Sequence, residues 1–291
     1  MATPAAEIDI DAPLVEALLA SQCPELAHLP VRVVANGWDN TIARVGDDWL
    51  VRLPRRAASA PLVENEQRWL PVLAPSLPLT VPVPWFAGRP SDVFPWHWSV
   101  CRWLPGQSAA AAPPNDPVEA ARTLATFVAA LHVPAPADAP VNEFRGVALQ
   151  QRAAAVEQRV AAMGAGVDAA RVLAVWAELS ATPPWPGPPL WLHGDLHPSN
   201  MLTLDGRLSA VIDFGDITAS DPATDLVSAW MWLNDDQRAP FHVALDVDEH
   251  TRRRGAGWAL AISTAVLAGG GDDALVAAAR RGVAAVEAEF G

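Results

Sequence analysis

The pattern of apolar residues changes once along this chain, near Gly106, and that change limits it to a mixed architecture with strands first and helices after. Upstream, short β-rich runs alternate with Gly/Asn/Asp clusters, the signature of hairpins. Val31-Arg32-Val33-Val34, Thr41 to Val45 and Trp49 to Leu53 read as strands, turned at Gly37-Trp38-Asp39-Asn40 and at Gly46-Asp47-Asp48. A short helix is expected before about Ser21 and another over Ala60 to Leu73, with further strands near Val83 to Ala87 and Trp98 to Trp103. Gly106 to Asn115 reads as an Ala/Pro-rich linker. Asp116-Pro117-Val118-Glu119 then starts a helix, with Asp116 as cap, Pro117 at the first helical position and Glu119 closing a capping box. Leu124, Phe127, Val128 and Leu131 follow at i, i+3, i+4, i+7 spacing. More helices are expected at roughly Val147 to Ala162, Asp168 to Leu179, Asp221 to Leu233, Asp248 to Leu267 and Ala274 to Glu289. The class is α+β, with a strand-rich domain over residues 1–106 and a mostly helical one over 107–291.

Composition removes several functions. A hydrophobic fraction of 51% over 291 residues suffices for a buried core. No apolar run reaches the roughly 18 residues of a membrane span; the longest candidate, Trp258 to Ala268, contains Ser263 and Thr264. Glu7, Asp9 and Asp11 near the start do not resemble a signal peptide, and Cys23 and Cys101 alone make no disulfide framework, so a cytoplasmic protein is expected. A net charge of -13 disfavours nucleic acid and favours cationic small molecules. All 20 basic residues are Arg, so any task usually given to Lys falls to Arg here. Oligomeric state is not legible.

The chemistry concentrates between Trp191 and Asp216. Met201-Leu202-Thr203-Leu204 and Arg207 to Ile212 flank Asp205-Gly206, a two-residue hairpin signal that pairs Leu204 with Arg207 and Met201 with Ala210. Asn200 and Asp213 then emerge together at the open end of the ribbon, with Asp195 on the loop that feeds it. Two such oxygen ligands suit a hard cation such as Mg²⁺, which takes one or two side chains plus substrate phosphates. Asp195 remains available to accept a hydrogen bond from an attacking hydroxyl. An alternative takes His193, Asp195 and His197 as one face of a strand binding a transition metal, but Gly194 and Pro198 disfavour a regular strand and Asn200 is left without a role. His193 otherwise reads as a packed residue that shapes the loop.

His193-Gly194-Asp195-Leu196-His197-Pro198-Ser199-Asn200 followed by Ile212-Asp213-Phe214-Gly215-Asp216 resembles the aminoglycoside phosphotransferase and choline kinase superfamily, small-molecule relatives of the protein kinases. The resemblance implies a two-lobed protein-kinase-like fold with ATP between a β-rich lobe and a helical lobe. It makes Asp195 catalytic and Asn200 and Asp213 the Mg²⁺ ligands. It places Asn40 and Thr41 at the phosphate-covering loop, although Gly37 to Thr41 is equally readable as an ordinary hairpin turn. On the third strand the family's Lys is replaced by Arg52, which can still pair with phosphate. Glu66 is expected to fix that cation, with Glu64 as the second choice, and Arg55 and Arg56 are expected to face solvent. The Arg102 carbonyl and Leu104 amide correspond to the adenine-binding hinge, and Asp225 to a brace of the catalytic loop.

The expected function is ATP-dependent transfer of the γ-phosphoryl group to a hydroxyl of a small molecule, an aminoglycoside-type antibiotic first. Asp216, Asp235 and Asp236 are candidate contacts to its cations, and Trp230 and Trp232 either stack on a sugar or belong to the core. A kinase of a macrolide or a metabolite alcohol or sugar, and a nucleotide-binding pseudokinase suggested by Arg52, remain as alternatives.

Overall fold

A computed structural model describes residues 4–163 and 168–291. The chain forms two compact units, one made of the residues up to Pro75 with Thr80–Pro105, the other of Ser76–Leu79 with Gly106–Gly291.

The first unit opens with α1 (Ala12–Gln22), capped by Asp11, whose carboxylate accepts from Leu14 N at 2.9 Å. Strands β1 (Val31–Asn36), β2 (Asn40–Val45) and β3 (Trp49–Pro54) follow, then α2 (Ala60–Leu73), β4 (Pro84–Gly88) and β5 (Trp98–Arg102). The strands form one antiparallel sheet in the order β1-β2-β3-β5-β4. Val15, Leu18 and Leu19 of α1 join Ala43, Val45, Val51, Leu53, Trp98 and Val100 in one buried core, which is why the N-terminal helix belongs to the sheet.

The second unit contains β6 (Gln107–Ser108), α3 (Pro117–Leu131), α4 (Ala153–Ala162), α5 (Ala169–Ser180), β7 (Leu190–Leu192), β8 (Met201–Leu204), β9 (Arg207–Val211) and β10 (Thr218–Ser220). It ends with α6 (Ser228–Met231), α7 (Asp235–Ala244), α8 (Glu249–Gly269) and α9 (Asp273–Phe290). Most of α8 is buried on all sides, at Thr251 and from Arg254 to Thr264, and forms the axis of the helical core.

Several expectations need correction. Asp116 caps α3, accepting from Val118 N and Glu119 N, but Glu119 turns away from a capping box to pair with Arg207 of β9. The helix expected from Val147 is a 3-10 turn over Leu149–Arg152 leading into α4. Pro222–Val227 is a 3-10 turn and α6 only one turn, in a segment buried on every side. The polar run Asp235-Asp236-Gln237-Arg238 conceals α7, which Asn234 and Gln237 start with a reciprocal capping box. Gln107-Ser108, inside the expected linker, pairs with β8, and the short β7 and β10 pair with each other. Trp230 is core, its indole N–H donating to Glu289 at 2.9 Å, whereas Trp232 is half-buried.

Candidate active site

The β8–β9 hairpin builds the open end at which the site lies. Asp205 and Gly206 both take positive φ, 50° and 76°, as a two-residue turn with the twist of the strands requires. Leu204 pairs with Arg207 as expected, but a bulge between Leu202 and Thr203 shifts the register, so Met201 faces Val211 and not Ala210. Ile212 N donates to Asn200 O at 2.8 Å, which sets the residues flanking the ribbon side by side. Asp213 follows in the left-handed conformation, φ 64°, a region that Asp tolerates better than most residues.

The loop before β8 is held from behind. Asp225, fully buried, accepts from His193 N and Gly194 N through its two oxygens, each at 2.8 Å, and its Oδ2 lies 3.2 Å from His132 Nε2. Asp225 thus braces the loop as expected. His193 accepts from Asp195 N at Nδ1 and donates from Nε2 to Ile212 O, with its ring 4.5 Å from that of Phe214. Both ring nitrogens are therefore engaged with the backbone. That removes the transition-metal alternative, and no group of three or more His, Cys, Asp or Glu among the described residues is arranged to hold a metal. Gly194 sits at φ 85°, and a Cβ there would lie 2.3 Å from Asp216 O, so only glycine lets the two loops meet.

Both oxygens of the Asp195 carboxylate have partners. Oδ1 accepts from Arg145 Nη2 at 3.0 Å, and Oδ2 lies 3.2 Å from His197 Nε2. Asn200 Nδ2 donates to Asp195 O at 2.9 Å and reaches Oδ2 at 3.4 Å. Burial alone would raise the Asp195 carboxyl, but the His197 imidazole and the Arg145 guanidinium outweigh it and hold the group far below the usual carboxylate range. His197 shows the reverse balance: burial lowers its pKa, and Asp195 raises it by more. With its amide N–H anchored, Asn200 retains Oδ1 as an acceptor. That oxygen and the Asp213 carboxylate are hard oxygen donors of the kind Mg²⁺ takes, so the pair fits the cation.

Arg145 and Asn142 had no place in the sequence reading. Asn142 Oδ1 accepts from Phe144 N and Arg145 N in a tight turn, while its Nδ2 donates to Asp216 Oδ1 at 2.7 Å. Arg145 bridges Asp195 and Asp216, with Nε 3.7 Å from Asp216 Oδ2. Burial pushes the Asp216 carboxyl up to about 6; Arg145 opposes this, and the nearby Asp195 and Asp213 add to it. Asp216 therefore stands beside Asp195, already engaged by Asn142 and Arg145. Asp235 and Asp236 lie on the first turn of α7, where Asp235 pairs with Arg238, and no hydrogen bond or ion pair among the described residues links either to the Asp195 group.

In the first unit, Arg52 Nη1 of β3 donates to Glu66 Oε1 of α2 at 2.8 Å, both buried; Glu64 is half-exposed and lies 3.3 Å from His97. The β1–β2 turn is braced where solvent contact was expected: Arg55 Nη1 donates to Gly37 O at 2.7 Å, and Arg56 Nη2 and Ser59 Oγ both donate to Asp39 Oδ1. Asn40 and Thr41 are buried at the start of β2, and the Thr41 hydroxyl donates to Asn36 Oδ1 at 2.7 Å. Arg102 ends β5 with its guanidinium 3.8 Å over the Trp49 ring, and Leu104 follows two residues on.

Known proteins can now be set beside this geometry. No curated protein matches the sequence. Among solved structures, the GDP complex of wild-type aminoglycoside 2'-phosphotransferase-IIIa aligns with a TM-score of 0.72 at 21% identity, covering 96% of this chain and 99% of that one. Macrolide 2'-phosphotransferase MphH from Brachybacterium faecium aligns at 0.61 and 24% identity, over 93% and 97% of the two chains. The streptomycin-ATP-APH(2")-IIa ternary complex aligns at 0.58 and 16%, over 88% and 91%. These likenesses establish the kinase-like α+β fold. The family description "APH: Phosphotransferase enzyme family" matches residues 30–259, most of the sequence, and the chain belongs to that family of phosphotransferases.

Proposed function

We propose that the protein transfers the γ-phosphoryl group of ATP to a hydroxyl of a small molecule, with Asp195 as the group that receives the hydroxyl. The observation that carries this is the Asp195 carboxylate, tied to Asn200 and Arg145 beside the end of the β8–β9 ribbon. The acceptor oxygen forms a bond to the γ-phosphorus, the bond from that phosphorus to the bridging oxygen breaks, and ADP leaves with the electron pair. Asp195 takes the hydroxyl proton. A carboxylate held so far below its usual range is a weak base, so Asp195 orients the hydroxyl first and accepts the proton late, as a loose phosphoryl-transfer transition state permits. Asn200, through Oδ1, and Asp213 would hold Mg²⁺, which when bound neutralises charge on the transferring phosphates. Arg52, steadied by Glu66, would contact the nucleotide phosphates in place of Lys, with the β1–β2 turn at Asn40 and Thr41 and the Arg102–Leu104 segment as the other nucleotide contacts.

Aminoglycosides and macrolides are the first acceptors to try, because the similar structures carry those names. The pseudokinase alternative loses weight because Arg52 has a buried acidic partner and Asp195, Asn200 and Asp213 are all present. ADP release with Mg-ATP should depend on an acceptor, and Asp195→Ala should lower it by about a thousandfold or more, in line with loss of a group that positions and deprotonates. Acceptor-dependent release that survives Asp195→Ala would refute the assignment.

A further inference from the structure

Cations are scarce in this protein, with 20 basic residues against 33 acidic ones, and half of the arginines are spent on carboxylates. Arg44, Arg52, Arg56, Arg145, Arg171, Arg207, Arg238, Arg252, Arg253 and Arg254 all have an acidic partner. Arg152 and Arg159, both half-buried, have none among the described residues. Both feel the charge of Arg145, the residue that meets Asp195. Arg152 ends the 3-10 turn before α4, with its guanidinium 5.7 Å over the ring of Phe144, the residue preceding Arg145. Arg159 lies seven residues further along, two turns down the same face of α4, with Nη1 3.4 Å from Ala261 O. The Asn142 turn sets the guanidinium of Arg145 on Asp195.

Resting on the phosphotransferase reading, we propose that the hydroxyl acceptor carries an oxyanion, a carboxylate or a phosphate, which Arg152 and Arg159 bind while Arg145 aligns it beside Asp195. Guanidinium groups suit such anions because their N–H donors match two oxygens at once. Leaving two half-buried cations next to a third is unfavourable: burial lowers the pKa of Arg152 and of Arg159, and repulsion from their arginine neighbours lowers it further. An anionic ligand relieves both costs, whereas a polycation would add to the second. Of the three acids expected to meet a polycation, Asp216 is engaged by Asn142 and Arg145, and Asp235 pairs with Arg238.

The test titrates four compounds of one size, glycerate, glycerol 3-phosphate, glycerol and serinol, into the full-length protein saturated with Mg-ADP, by calorimetry. Saturable binding of glycerate or glycerol 3-phosphate is expected, the stronger of the two naming the anion. Affinity should fall about tenfold or more in Arg152→Gln and in Arg159→Gln and be largely retained in Arg152→Lys, which keeps the charge. Thermal melting of each variant separates lost binding from lost folding. Absence of anion binding, or equal binding by both Gln variants that melt like the wild type, overturns the inference. ADP release is then measured over hydroxyl compounds sorted by charge, kanamycin included. Asp195-dependent turnover of neutral or cationic compounds with none of the anionic ones overturns this inference and leaves the phosphotransferase reading standing. Failure to bind Mg-nucleotide at all sinks that reading itself.

Discussion

Asp195 and Asp216 share one guanidinium and titrate in opposite directions. Asp195 is held down because His197 and Arg145 overcome its burial; its contribution to stability is present above the ordinary value of 3.8 and is lost as the pH falls below it. Asp216 is pushed from 3.8 up to about 6 by burial and by the neighbouring carboxylates, so its contribution is present at low pH and is lost as the pH rises through about 6. Asp216→Asn removes that second loss. In metal-free buffer, the stability of the variant relative to the wild type should climb between about pH 4 and 6 and then level off, measured as urea midpoints. A difference that does not vary with pH would mean that Asp216 ionises freely. The spacing of Asp195 and Asn200 was legible because it is local. Arg145 was not, since it stands 50 residues from Asp195 in sequence and meets it only through the Asn142 turn.

At the scale of elements, two contacts hold the loops that carry these residues. Gly194 combines φ 85° with a 2.3 Å approach of a would-be Cβ to Asp216 O, so Gly194→Ala should cost about 2 kcal/mol or more and displace Asp195 from its partners. Equilibrium unfolding checks the first effect, and a parallel drop in turnover checks the second. Arg254 of α8, 2% exposed, forms a two-point ion pair with Asp221 and also donates to Pro183 O and Thr251 Oγ1. Asp221 in turn accepts from Ala223 N at the start of the turn that carries Asp225. Arg254→Ala strands a buried carboxylate and should destabilise by about 3–5 kcal/mol, read from denaturant unfolding, whereas Asp221→Asn with Arg254→Leu together should cost less than the sum of the two singles. The partner of Asp221, 33 residues away in Arg254, was not legible in the sequence.

For the whole molecule, the absence of Lys has a direct consequence. Acyl-phosphate nucleotide probes, which label kinases by acylating a lysine beside the phosphates, should leave this protein unlabelled apart from any free α-amino group, even where Mg-ATP competes for binding. Covalent labelling of an internal residue, located by peptide mass, would contradict the assignment of Arg52. The order of strands then helices, the Asp205-Gly206 hairpin and the capped start of α3 were readable in the residues themselves, because turn chemistry and apolar periodicity act over a few positions. The pairing of Arg52 with Glu66 was also within reach, since helical spacing put Trp69 and Leu70 on the inner side of α2 with Glu66. Tertiary structure alone decided the bulge that moves Met201 opposite Val211, the one-turn length of α6, the bracing of Gly37 and Asp39 by Arg55, Arg56 and Ser59, and the approach of Arg145 to Asp195. The last two depend on which polar group finds a partner far along the chain, and desolvation rather than local propensity settles that choice.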